Sequence, residues 1–155
     1  ALLPISYVWP PFAFLFLIRP TRHVCSPSQS SLGYKGFHEY WLNGTNAWAY
    51  PHLQNGAERM IELGRLEPAD ELEWKALNQA ARELLLAQSS DWAFIMRTGT
   101  MVPYAVRRTR SHLMRFNKIY DDIKLGKGID SGWLEKVEEI DNIFPEINYR
   151  VYRPL

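Results

Sequence analysis

The sequence predicts an all-α domain: a compact bundle of about five helices preceded by an aromatic-rich irregular loop. Three observations predict it. Apolar residues recur at spacings of three and four through most of the chain after residue 48. Proline, glycine or Ser/Asp signals stand at the edges of these stretches, where helices start and stop. Before them, Ser30 to Leu53 sets Tyr34, Phe37, Tyr40, Trp41, Trp48 and Tyr50 among Gly, Asn and Thr, which are turn-formers.

The first helix begins between Trp48 and Pro51. Proline is tolerated in a first turn, where its missing N–H would have no partner. Leu53, Ala57, Met60, Ile61 and Leu63 form its apolar stripe, and Gly64 fits a left-handed C-terminal cap. The second helix runs from about Ala69 to Gln88, with Trp74, Leu77, Ala81, Leu84 and Leu85 inward. Ala76, Ala80, Ala81 and Ala87 leave little bulk, so another helix can approach closely. Ser89-Ser90-Asp91 then supplies oxygen acceptors for the free N–H groups of a short apolar helix ended by Gly99.

The longest helix opens near Thr100 and reaches about Leu125. Its seam is Val102, Val106, Thr109, Leu113, Phe116 and Tyr120, spaced four, three, four, three and four. Gly126, Gly128 and Asp130 form a loop. The last helix spans Ser131 to Phe144 with Trp133, Leu134, Val137 and Ile140 inward, and the tail from Pro145 to Leu155 is extended.

The 155 residues suffice for one domain with a real core, and we divide them into 1–29 and 30–155. Residues 1–29, containing Ala1 to Pro20 and most of a Pro/Ser-rich linker, lack helical periodicity. Their longest apolar run, Phe12 to Ile18, is too short to span a bilayer, and no basic segment precedes it as a secretory signal requires. Two readings stand for this segment: an extended strand lying in another domain's groove, or a terminus made by truncation or a changed reading frame. A net charge of +1 gives no pull toward nucleic acid or membrane. The single cysteine, Cys25, favours a reducing compartment and a cytoplasmic location. Asn43-Gly44-Thr45 reads as a turn rather than a glycosylation site.

Chemistry is sparse. No Gly-rich phosphate loop exists. His23, His38, His52 and His112 show no pair at ligand spacing, so no metal site and no cofactor are expected. Arg107, Arg108, Arg110, Arg115 and Lys118 make the longest helix basic. They flank a core seam, and neighbouring carboxylates such as Asp121 and Asp122 can neutralise them. Two features stay open on residue type alone. Rings held on turns suit sugar stacking, or else plug the end of the bundle. Asp91 either caps its helix or faces outward to bind a ligand hydroxyl.

Four motifs, SSLGYKGFHEYWLN, TNAWAYPHL, ALNQAARELLLAQSSDWAF and RTGTMVPYAVRRTRSHLMRF, together resemble the C-terminal helical domain of glycoside hydrolase family 57 enzymes. This is the α-glucan branching enzyme and α-amylase group. The likeness covers about Pro27 to Phe116 and leaves out residues 1 to 26. It implies a partner, the catalytic (β/α)-type barrel, whose Glu nucleophile and Asp acid stand roughly 5 Å apart in a retaining mechanism. This chain carries no such pair, so it holds no catalytic residue. Its ligand would be an α-glucan or maltooligosaccharide. The substrate-binding positions implied are Leu32, where the family has a Trp in SSWG; Trp41 of WLN; Asp91 of SSDW; and Thr100, where branching enzymes usually carry Gln. Two of the four match. The competing reading is a helical protein-interaction domain with no sugar binding of its own.

Overall fold

A computed structural model describes residue 28 and residues 36–154. Leu32, Tyr34 and the readings made for residues 1–26 lie outside the described residues. Among the described residues there are five α-helices, one 3-10 turn and no strand. The helices are α1 (Ala49–Gly64), α2 (Glu71–Ala87), α3 (Ser90–Thr98), α4 (Val102–Lys124) and α5 (Ser131–Ile140), followed by the 3-10 turn Tyr149–Tyr152. The predicted bundle is therefore the observed one.

The central element is α2. Its Asp70 cap accepts from the Glu73 N–H at 2.8 Å. Beyond the first turn, residues 76 to 84 are buried without a break, so α2 is enclosed on all sides. Small residues permit this, since Ala76, Ala80 and Ala81 let α1 and α4 come close. Leu77 and Leu84 fill the spaces between, against Met60, Leu63, Phe116 and Ile119. Trp74, expected inward, is 40% exposed because it sits in the first turn, before the helix passes beneath its neighbours.

Helix α4 keeps the predicted three–four rhythm, with the middle of its seam as expected and the two ends rotated. Thr109, Leu113 and Phe116 are buried as predicted and are joined by Ala105, His112 and Ile119, while Val102, Val106 and Tyr120 are half-buried. Bulk hydrophobicity favoured the valines, whereas close packing on the alanines of α2 favours Ala105 and Thr109. Helix α5 stops at Ile140, four residues short of Phe144. Asp141 turns inward there to meet arginines of α4, which leaves Ile140 60% exposed. The tail is not extended throughout: it winds into the 3-10 turn and buries Tyr149 completely. The Tyr149 N–H donates to Asn78 Oδ1 and its hydroxyl to the Leu66 carbonyl, both at 2.9 Å.

Gly64 has another purpose than the one its position suggested. It is the last helical residue, and Arg65 after it is also right-handed, with φ −89°. A Cβ on Gly64 would lie 3.0 Å from the Arg153 nitrogen and the Tyr152 carbonyl carbon. The glycine is thus a seat for the tail. An unhindered helical Gly→Ala change gains up to about 1 kcal/mol. Here Gly64→Ala should instead destabilise by roughly 1–3 kcal/mol through backbone overpacking, read as a lowered midpoint in chemical or thermal unfolding.

Candidate functional site

The site grows from the end of α2. Gln88 and Ser89 turn the chain into α3, and the Trp92 indole N–H donates to the Leu86 carbonyl at 2.7 Å, fixing that turn. Ser89 stands at the N-cap without a side-chain cap bond, and Asp91 follows in the first turn. The Asp91 carboxylate is exposed and accepts no hydrogen bond from a described residue, so it does not cap. The free N–H groups of that turn still favour its negative charge. Gly99, with φ +83°, ends α3 as expected.

The aromatic loop folds back onto α3. Tyr40 and Trp41 pack on Phe94, with ring centroids at 5.3 and 6.1 Å. Glu39 accepts from Arg97 at 2.8 Å. Asn46, only 1% exposed, is the clasp: its amide donates to the carbonyls of Tyr40 at 2.9 Å and Ala93 at 3.2 Å. Asn43 Oδ1 accepts from both the N–H and the hydroxyl of Thr45, so Asn43-Gly44-Thr45 is a tight turn. Trp48 stands just outside α1 and Tyr50 within its first turn. The irregular stretch therefore ends before Leu53.

Between loop and helices lies a mostly apolar cavity of about 140 Å³. Trp41, Tyr50 and Trp92 form its walls, Ser89 and Ser90 its edge, and Ala49, Met96 and Thr109 its floor. The Tyr50 hydroxyl donates to the Trp41 carbonyl, and partial burial raises its pKa. The structure thus places Trp41 against α3 and in the cavity wall, whereas Asp91, between Ser90 and Trp92 in the chain, does not line the cavity. Thr100 lies apart, exposed beyond the far end of α3, its hydroxyl 3.2 Å from that of Thr98.

A second cluster was invisible in the sequence. Glu83 of α2, His112 of α4 and Asp141 after α5 are all buried, with ligating atoms within 4.8 Å of one another. His112 Nδ1 lies 2.7 Å from Glu83 Oε2 and 3.6 Å from Asp141 Oδ2. Gln79 donates to Glu83 at 2.9 Å. Asp141 accepts from Arg108 at 3.2 Å and also from Arg115. Guanidinium groups thus stand where a metal ion would otherwise balance these carboxylates. Only the pattern of Gln79 and Glu83, four apart inside an alanine-rich buried run, could have signalled it.

The basic face of α4 is likewise committed. Lys118 pairs with Asp122 at 2.6 Å, as its spacing predicted. Arg107 and Arg110 lie over the rings of Tyr104 and Trp48, at 5.8 and 5.2 Å. Asp141, and not Asp121, is the carboxylate that takes Arg108 and Arg115. No described helix is long and apolar enough to cross a membrane.

Residues 52–152 match the family described as 1,4-alpha-glucan branching enzyme, C-terminal. The chain belongs to that family. It is 34% identical over 128 residues to the 1,4-alpha-glucan branching enzyme TK1436 of Thermococcus kodakarensis, covering 79% of this chain and 19% of that protein. Among solved structures, the GH57-type branching enzyme from Pyrococcus horikoshii is 31% identical with a TM-score of 0.81, covering 93% of this chain and 28% of that one. The alpha-amylase AmyC from Thermotoga maritima is 49% identical with a TM-score of 0.64, covering 73% and 22%. The chain therefore spans about a fifth of the length of its curated branching-enzyme relative.

The buried cluster gives a pH signature. Burial raises the Glu83 pKa, opposed by its hydrogen bonds from His112 and Gln79. A carboxyl with a raised native pKa holds more proton folded than unfolded. Its contribution is full below the unfolded value, near 4.5, and is lost as pH rises through the native value. Relative to the neutral isostere Glu83→Gln, the parent chain should therefore lose stability as pH climbs from the unfolded value through the native one, and level off above it. Urea unfolding of both chains across the acidic range reads the difference, and parallel curves would refute it.

Proposed function

We propose that the chain is the helical part of an α-glucan-processing enzyme, a branching enzyme or α-amylase, and completes its glucan-binding cleft. The catalytic pair would come from the parent enzyme's barrel. The single cysteine remains the ground for placing it in the cytoplasm.

One observation supports the sugar-binding role above others. Trp41 is held from behind by Phe94 and from its own backbone by Tyr50, while Asp91 turns an uncommitted carboxylate to solvent in the adjoining turn. A fixed ring and an exposed carboxylate are groups that a hexose uses: an apolar face to stack on and a strong acceptor for hydroxyls. The ring need not be reordered on binding, which limits the entropic cost. At the positions where branching enzymes carry Trp and Gln, this chain has Leu32 and Thr100. A stacking ring is worth on the order of 1–3 kcal/mol on nucleic-acid bases. By that scale, Leu32 weakens one subsite and leaves hydrolysis as open to the parent enzyme as branching.

Tryptophan fluorescence titrated with maltoheptaose tests the proposal. Binding should shift the emission, and Asp91→Ala should weaken it roughly tenfold, the scale of a charge-assisted hydrogen bond. Because Asp91 is exposed and caps nothing, its removal should change stability by less than about 0.5 kcal/mol. A lowered melting temperature with unchanged glucan affinity would instead establish the plain interaction-domain reading. No spectral response, together with no association with a separately made barrel domain, overturns the proposal.

A further inference from the structure

The cavity beside Trp41 is open on one side. Past Tyr50 it continues into a shallower groove of about 340 Å³, and the two depressions share Tyr50, Leu53 and Gln88. The added walls are Gln54 and Ala57 of α1, facing Gln88 at the C-terminus of α2. Tyr50 and Gln54 stand four apart on one face of α1, so ring and amide line the same side of the groove.

The chemistry of this wall is selective. Among the described residues no charged side chain lines it, so this wall offers no counter-charge to a phosphate, a nucleotide or an acidic peptide. Tyr50 is 38% exposed, and its hydroxyl is spent on the Trp41 carbonyl, which fixes the ring in place. The side-chain amides of Gln54 and Gln88 are exposed and hydrogen-bond to no described residue. Each presents donors and an acceptor side by side. A purely apolar ligand would desolvate two amides without replacing their hydrogen bonds. A neutral polyol with vicinal hydroxyls would satisfy both and still lay an apolar face on the tyrosine.

We infer that this groove extends the glucan track: Tyr50, Gln54 and Gln88 hold further glucose units of a linear α-glucan whose first units lie at Trp41. The inference rests on the sugar-binding reading of Trp41 and Asp91, and adds chain-length selection to it. Short oligosaccharides occupy the Trp41 end alone. Longer ones reach past Tyr50 and gain the two amides.

The full chain and its Gln54→Ala/Gln88→Ala variant should be titrated with maltotriose and with maltoheptaose, by calorimetry and tryptophan fluorescence. Both residues are exposed, and an unchanged melting temperature confirms that the variant folds. The parent should bind maltoheptaose more tightly than maltotriose by on the order of tenfold, the worth of two modest hydrogen bonds. The variant should bind both alike, with its maltotriose affinity unchanged. A variant that keeps the parent's preference for the longer chain overturns the inference. So does a parent that binds both lengths equally, or a variant that loses both in the same ratio; in these cases the Trp41 site stands. A parent that binds neither sugar overturns the glucan reading and this extension together.

Discussion

The arrangement of the bundle depends on one carboxylate. Glu83 is wholly buried in a helix enclosed on every side, and an unpartnered ion there would cost several kcal/mol. Its partners come from different places. Gln79 is one turn back on α2, His112 is on α4, and Asp141, at the end of α5, closes the cluster with two arginines of α4. These contacts form together only in one relative placement of the three helices. Buried ionic clusters of this kind add little net stability over an apolar core. What Glu83 supplies is the register: sliding α4 by one turn would remove His112 from the carboxylate and separate Asp141 from its arginines.

From this node the constraint travels both ways along α2. Toward the tail it passes through Arg82, which is 7% exposed and donates to the carbonyls of Ile143 and Pro145 at 3.0 Å each. Those bonds hold the chain after α5 against α2, so that Tyr149 reaches Asn78 and Leu66. Gly64 then receives the backbone of Tyr152 and Arg153. In the other direction the fixed end of α2 sets the Gln88–Ser89 turn. That turn aims α3, α3 presents Phe94, and Phe94 supports Trp41. The ring proposed to meet a sugar is thus positioned by a relay of packing that begins at a buried charge on the same helix.

The fold was legible where its signals were local. Helix existence, the Pro51 and Pro103 first turns and the Gly99 stop all follow from spacing and backbone chemistry within a few residues. What the sequence concealed depended on contacts between distant elements. Gly64 carried a signal for a cap, yet its role comes from residues 152 and 153. Asp141 ended α5 early because its carboxylate finds arginines on another helix, which no local propensity encodes. The α4 seam was right at Thr109, Leu113 and Phe116 but missed Ala105, His112 and Ile119, since hydrophobicity ranks valine above alanine and histidine, whereas α2 required small and polar groups at the contact. All four expected site positions, Leu32, Trp41, Asp91 and Thr100, came from motif likeness. Asn46 and the groove at Tyr50, Gln54 and Gln88 were not reached, because amides in turns and on helix surfaces are common and only their convergence distinguishes these.

Half-burial also bears on the two roles first set against each other for the aromatic loop. A fully buried ring would strengthen the bundle and offer nothing to a ligand. A fully exposed one, as Phe37 is at 75%, would cost order to hold in place. Trp41 and Tyr40 lie between these limits, with one side against Phe94, and Asn46 supplies the buried hydrogen bonds that keep the turn closed. Plug and the proposed platform are therefore compatible roles for one loop. The core-facing side keeps the loop ordered, so that the proposed binding would not pay its ordering entropy again. A ring prepared in this way favours stacking on a neutral surface, and the uncharged wall beyond Tyr50 continues the same preference along α1.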